Sequence, residues 1–136
     1  MPGRRCEAWE LLQRLIETTR TRVPAVAAEL DLPPAQCQVL RRLPSRRAVT
    51  MGELARTLAC DASNVTGLVD RLEARGLVER RESRGDRRVK AIALTRRGCH
   101  VRARLVARLS QPPDPISRLS EADRERLTAI LRKVLG

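Results

Sequence analysis

Four branched aliphatic residues, Val65, Leu68, Val69 and Leu72, stand at positions i, i+3, i+4 and i+7. That spacing gives a helix over Ala62 to about Arg75 one clean apolar face. Ser63, Asn64, Thr66, Gly67, Asp70 and Arg71 occupy the other side. Exposed helix faces ordinarily favour Glu and Lys, whereas Ser, Asn, Thr and Gly are poorer helix formers. Small polar groups near a helix N-terminus suit a face that enters a groove, where the amide dipoles also favour phosphate. Gly76 then stops the helix.

Short elements on both sides complete a motif. Thr50-Met51-Gly52-Glu53 fits a capping box, with threonine capping an amide and Glu53 reaching back. Leu54, Ala55 and Leu58 form the inner face of the helix it opens, and small Ala55 lets a second helix cross closely. Asp61 is placed to cap that second helix. After Gly76, Leu77-Val78 begin a strand through Glu79, Arg80, Arg81 and Glu82. Ser83-Arg84-Gly85-Asp86 turns the chain, and Arg87-Arg88 start a return strand in which Ile92 and Leu94 share a face. Two helices joined by a tight turn and followed by a basic ribbon make a winged helix-turn-helix. An arginine-bearing ribbon tip with Arg84, Arg87 and Arg88 suits a narrow minor groove, which concentrates negative potential.

The flanks read as helices. Residues 5 to about 30 carry Trp9, Leu12, Leu15, Ile16 and Thr19 on one face, and Pro24 is expected to end or kink that helix. Leu32-Pro33-Pro34 breaks the chain and can start the next helix, whose apolar edge is Cys37, Leu40 and Leu43 before Pro44. One short strand is expected around Ala48-Val49. Thr95 can cap a long helix with Val101, Leu105 and Leu109 four apart, and 111–115, with three prolines, must break it. Ser120 and Asp123 resemble a second capping box, ahead of a stripe at Leu127, Ile130, Leu131, Val134 and Leu135. The terminal stripes are more apolar surface than a small domain can cover alone.

Charge narrows the partner. The chain has 136 residues, enough for one domain, and a formal net charge of +12. Solubility needs far less, so a polyanion is implied. From Arg71 to Arg104 stand 12 basic and four acidic residues, a net +8 within the helix–ribbon motif and the start of the next helix. Trp9 is the lone aromatic residue. Single-stranded nucleic acid is usually held on stacking platforms, so duplex DNA is the better fit. No apolar run approaches the ~18 residues of a membrane span, and the first residues have no signal-peptide core. A cytoplasmic protein with reduced cysteines is expected, associated with the nucleoid when bound to DNA.

The run LARTLACDASNVTGLVDRLEARGLVERRESRGDRRVKAIALTRRG resembles the MarR family of bacterial transcriptional regulators. The pieces that carry the likeness are VTGLVDRLEARGLVER, the Asp86-Arg87-Arg88 of the wing, and Leu94-Thr95-Arg96-Arg97-Gly98. The resemblance implies a mainly α fold with a small β-wing, flanked by N- and C-terminal dimerisation helices. A single domain over 1–136 would divide into 5–32 and 96–136 for dimerisation and 33–95 for DNA binding. The implied function is a homodimeric repressor, selective for a pseudo-palindromic operator in double-stranded DNA. Ser63, Asn64, Thr66 and Gly67 fall where the family reads the major groove. Gly67 replaces the longer polar residue of many relatives, so close backbone approach is expected there rather than a base contact. Asp86 and Arg88 match the family's Asp-x-Arg wing motif, with Arg88 entering the minor groove. Arg71, Arg75, Arg80, Arg87 and Lys90, with Arg46 or Arg47, are expected on phosphates.

The family often senses phenolic ligands, or oxidants through cysteine, so a small-molecule or oxidant effector is a further expected partner. Of Cys6, Cys37, Cys60 and Cys99, the two candidate sensors are Cys60, just before the second helix of the motif, and Cys6, which could pair across a dimer. No Cys-x-x-Cys is present, and a buried cysteine is usually a small apolar residue. His100 beside Cys99 points about 100° away from it on a helix, which is not metal-site spacing. No nucleophile motif or phosphate-cradling loop occurs. No metal, cofactor or catalytic centre is expected. The two other classes compatible with these features are a winged-helix module that binds an acidic protein and a non-specific architectural DNA binder.

Overall fold

The computed structural model describes residues 6–83 and 85–136, with the side chains of Ala62, Asp86 and Arg87 outside that description. Helices α1 (Glu7–Thr19) and α2 (Arg22–Glu29) lead into α3 (Pro34–Arg42), β1 (Val49–Thr50), α4 (Met51–Leu58) and α5 (Ala62–Ala74). Strands β2 (Val78–Ser83) and β3 (Asp86–Leu94) follow, then α6 (Arg96–Ser110), α7 (Asp114–Ser117) and α8 (Glu121–Leu135). The sheet is antiparallel in the order β1-β3-β2, with Val49 opposite Ile92 and Val78 opposite Leu94. The mainly helical fold with a small wing is the one expected.

One core lies where α3, α4, α5, the sheet and α6 converge. Val39, Leu40, Leu43, Val65, Val69, Leu72, Ile92 and Leu105 are fully enclosed. Leu68, the fourth member of the α5 stripe, is half-buried at its margin. Burying such a side chain stabilises the fold by about 1.5–3 kcal/mol. In β3 both faces are covered from Ala91 to Leu94, because it is the central strand. Ala91 and Ala93 are small enough to be covered where simple alternation would expose them.

Caps fix the ends of the elements. Thr50 accepts from the Glu53 amide at 3.1 Å, Thr95 from the Gly98 amide at 3.0 Å, and Ser120 from the Asp123 amide at 3.2 Å. Asp61 holds the N-cap position of α5 but its side chain makes no capping bond. Glu53 turns outward instead of back, with its carboxylate 3.8 Å from Arg47. The first helix breaks earlier than Pro24 suggests. The break lies at Arg20-Thr21, and Pro24 sits in the first turn of α2, where an amide has no helical partner to lose.

Two glycines are required by the backbone. At the end of α5, Gly76 has φ +71°, and the Leu77 amide reaches back to the Leu72 carbonyl at 3.0 Å. This is the left-handed closure that glycine tolerates without a Cβ penalty. Gly98 is a close approach: an added Cβ would lie 1.8 Å from the Leu77 carbonyl oxygen. The Thr95 amide and hydroxyl donate to the Leu77 and Gly76 carbonyls at 3.1 and 2.6 Å. The start of α6 is thereby clamped to the base of the wing.

The terminal helices differ. No residue of α1 or α8 is buried. Trp9, Leu11 and Ile16 on α1, and Ile130, Val134 and Leu135 on α8, are each more than half exposed. At the α2–α6 junction, Arg108 donates to both Glu29 carboxylate oxygens at 2.9 and 2.7 Å. Arg22 donates to the Gln111 carbonyl, where α6 ends.

Candidate nucleic-acid interface

The turn between α4 and α5 is built on Ala59, which adopts a left-handed conformation with φ +51°. The Cys60 amide then bonds the Ala55 carbonyl at 3.1 Å. This reversal lets α5 lie across α4 with Val65, Val69 and Leu72 inward. Ser63, Asn64 and Thr66 are consequently exposed, and Gly67 is half-buried. A Cβ added at Gly67 would meet nothing within 4 Å. Packing within the chain therefore gives no reason for this glycine, although it weakens a helix by about 1 kcal/mol relative to alanine.

The wing is tied to α5 by Arg80. Its guanidinium donates to Glu73 at 2.7 Å and also to Asp70, while its own amide donates to Glu73 at 3.3 Å. Its side chain is 25% exposed. The Asp70 hydrogen bond, with Glu73 beside it, holds the guanidinium pKa above its ordinary value. Arg80 was expected on a phosphate; the structure instead commits its charge to two carboxylates of α5. Arg75 is similarly engaged. It donates to the Asp31 carbonyl at 2.6 Å, with the Asp31 carboxylate at 4.0 Å, and so joins the end of α5 to the α2–α3 turn. Neither role was visible in sequence, where each residue is one arginine among many. An Arg80 partner at Glu73 or Asp70 appears only after the Gly76 turn folds β2 back.

Arg71, Arg88 and Lys90 are exposed. In the ribbon Glu82 pairs with Lys90, whereas Ser83 pairs with Asp86. Three residues of β3, 87–89, therefore fall between partners that are adjacent on β2, and the ribbon bulges where Arg88 sits. Bulges re-aim side chains at such edges. Gly85 turns the tip with φ +97°. Arg84 and the side chains of Asp86 and Arg87 lie outside the described residues.

The candidate sensors are both exposed. Cys6 is at the N-cap of α1, and Cys60 has its Sγ 3.3 Å from the Leu58 carbonyl oxygen. Cys60 also edges a cavity of about 260 Å³ lined by Ala35, Leu58 and Leu68. Cys37 is enclosed, and burial pushes its thiol pKa up. Among the described residues no helix is long and apolar enough to cross a membrane, and no cluster of ligating side chains could hold a metal.

Comparison with known proteins agrees with this geometry. The model of the MarR family matches residues 30–89. No curated protein matches the chain. The apo form of MarR from E. coli superposes with a TM-score of 0.79 at 25% identity, over 93% of this chain and 96% of that one. A transcriptional regulator from Thermotoga maritima gives a TM-score of 0.73 at 26% identity, over 96% and 94%. A mutant of MepR from S. aureus, solved bound to an oligodeoxyribonucleotide, gives 0.66 at 26%, over 93% and 95%. The match spans the terminal helices as well as the winged motif, and the chain belongs to the MarR family of winged-helix transcriptional regulators.

Proposed function

We propose that the protein is a homodimeric repressor that binds a pseudo-palindromic operator in duplex DNA. The observation that carries this reading is the outer face of α5: Ser63, Asn64 and Thr66 are exposed around a glycine that nothing in the chain requires. Such a face lets the helix backbone come close to base edges in the major groove. Arg88 on the bulged ribbon is assigned to the minor groove, and Arg71 and Lys90 to phosphates. Arg80 is a positioning residue that sets the angle between wing and helix. The bare apolar stripes of α1 and α8 support the dimer, because each protomer leaves them uncovered. Two α5 helices are expected roughly 34 Å apart, one turn of DNA.

Binding selection from random duplexes tests the reading. An enriched inverted repeat is expected, with affinity that falls steeply as salt rises. Enrichment of no sequence would leave non-specific binding or an acidic protein partner. Arg88→Ala should weaken binding to the selected duplex by about 1–3 kcal/mol, measured by fluorescence anisotropy, while sedimentation still gives a dimer. Wild-type affinity in that variant would remove the wing from the mechanism.

A further inference from the structure

A cleft of about 490 Å³ lies between the end of α3, β1, α4 and α6, away from the α5 residues assigned to DNA. Arg42, Arg47, Arg56 and Arg102 all line it. The local acid is Glu53, which stands beside Arg47 at 3.8 Å with both side chains well exposed. Among the described residues no carboxylate lies within 4 Å of Arg42, Arg56 or Arg102. Arg102 is the unusual member. Its Nε is buried without a hydrogen-bond partner, and Nη2 reaches only the Arg41 carbonyl at 3.5 Å. A buried guanidinium donor left unpaired is costly. Nothing in the fold supplies its acceptor. Pro44, Val49 and Leu54 give the cleft an apolar floor. Its volume is that of a small-molecule site, and the mixture of apolar wall and convergent donors is the ordinary make-up of one.

We infer that this cleft binds a small organic carboxylate, held by Arg102 together with Arg42 and Arg56, with its apolar body against Pro44 and Leu54. Arginine is suited to this because its planar fork matches a carboxylate. The occupant would bridge α4, the first helix of the motif, and α6, the helix clamped at Gly98 to the base of the wing. Its regulatory consequence rests on the DNA-binding reading above; its binding does not. A DNA phosphate would satisfy the same donors, but the apolar floor favours a ligand with a carbon body.

Titration calorimetry of the full chain with phenylacetate, at fixed ionic strength and without DNA, tests the inference. Saturable binding is expected for phenylacetate and not for neutral phenylacetamide. Arg102→Gln should weaken binding about tenfold or more, as loss of a charge-assisted bond does. Arg56→Gln, at an exposed position, should weaken it too and guards against misfolding of the first variant. Arg104→Gln, exposed on the same helix, should leave it intact. No saturable binding, equal binding of phenylacetamide, or an equal loss in Arg104→Gln would each overturn the site. Loss of DNA affinity in Arg102→Gln without any phenylacetate binding would assign the cleft to DNA phosphates and overturn it also. If wild-type protein binds phenylacetate but selects no duplex, the site stands and the regulator reading fails.

Discussion

The body of the molecule, α3 to α6 with the sheet, and its terminal helices use the same aliphatic residues to opposite effect. In the body the stripe of α5 closes against α4 and the sheet, and three of its four members are fully enclosed. On α1 and α8, stripes of equal regularity remain in solvent, with Val134 71% and Leu135 83% exposed. Periodicity specifies a helix and the side that wants covering, but not what covers it. The body satisfies its pattern within one chain. The ends need another surface, and under the proposed function that surface is a second copy. The two regions should therefore respond differently to change.

The largest effect is expected deep in the body. Gly98→Ala forces a methyl to within 1.8 Å of the Leu77 carbonyl unless α6 moves off the wing. Overpacking of this kind costs about 1–3 kcal/mol and occasionally more, and contact with rigid backbone places it at the upper end. Urea denaturation should show the loss at every protein concentration. An unchanged midpoint would mean that the α6–wing clamp is not a fixed part of the body.

The ends should respond through concentration instead. Ile130→Asp, at a position 57% exposed in one chain, has no packing to lose in the protomer. It places a charge in the proposed dimer interface, where an unpaired charge is costly. Sedimentation should show dissociation rising about 10–100-fold, equivalent to about 1.4–2.7 kcal/mol. The far-ultraviolet spectrum should stay helical. A fully retained dimer would place the second copy somewhere other than on α8.

Legibility in sequence follows the same division. The α5 stripe, the Gly76 stop and the caps at Thr50, Thr95 and Ser120 were readable because each depends on residues within about a turn of one another. The α2 start was misread because Pro24 was weighed as a terminator, whereas a proline in a first turn is compatible with helix. The tethers of Arg75 and Arg80 were not readable. Their partners at Asp31, Asp70 and Glu73 meet them only after the chain reverses. Gly98 was seen as a residue of a helix but not as a contact, since the obstructing carbonyl belongs to Leu77, 21 positions back. On the outer face of α5 the small polar residues could be picked out, but not that Gly67 would stand in open space.

That open space separates two methyl additions. Gly67→Ala meets no atom of the chain, so it should stabilise the helix by about 0.5–1 kcal/mol while weakening binding to the selected duplex. The pair of readings matters: greater stability with undiminished DNA affinity would remove close backbone approach from the proposed contact. Gly98 and Gly67 thus mark an inner and an outer surface of the same body, one closed by its own backbone and one left for a partner.

The smallest effect belongs to the junction of the two regions. Arg108, near the end of α6, donates through two nitrogens to Glu29 at the end of α2. The hydrogen bond from Arg108 holds the Glu29 carboxyl below its ordinary pKa. A carboxyl lowered on folding contributes stability above its unfolded pKa and loses it as pH falls through the folded value. The loss should begin near pH 5 and continue below it. Both side chains are nearly half exposed, so solvent and salt screen the pair and the slope will be shallow. Thermal melts from pH 6 to 3 should fall slightly more steeply for wild type than for Glu29→Gln, and the difference should shrink in high salt. Identical slopes would mean that α2 is held to α6 by Val26, Ala27 and the Arg22 bond to the Gln111 carbonyl alone, and that the ends join the body by packing rather than by charge.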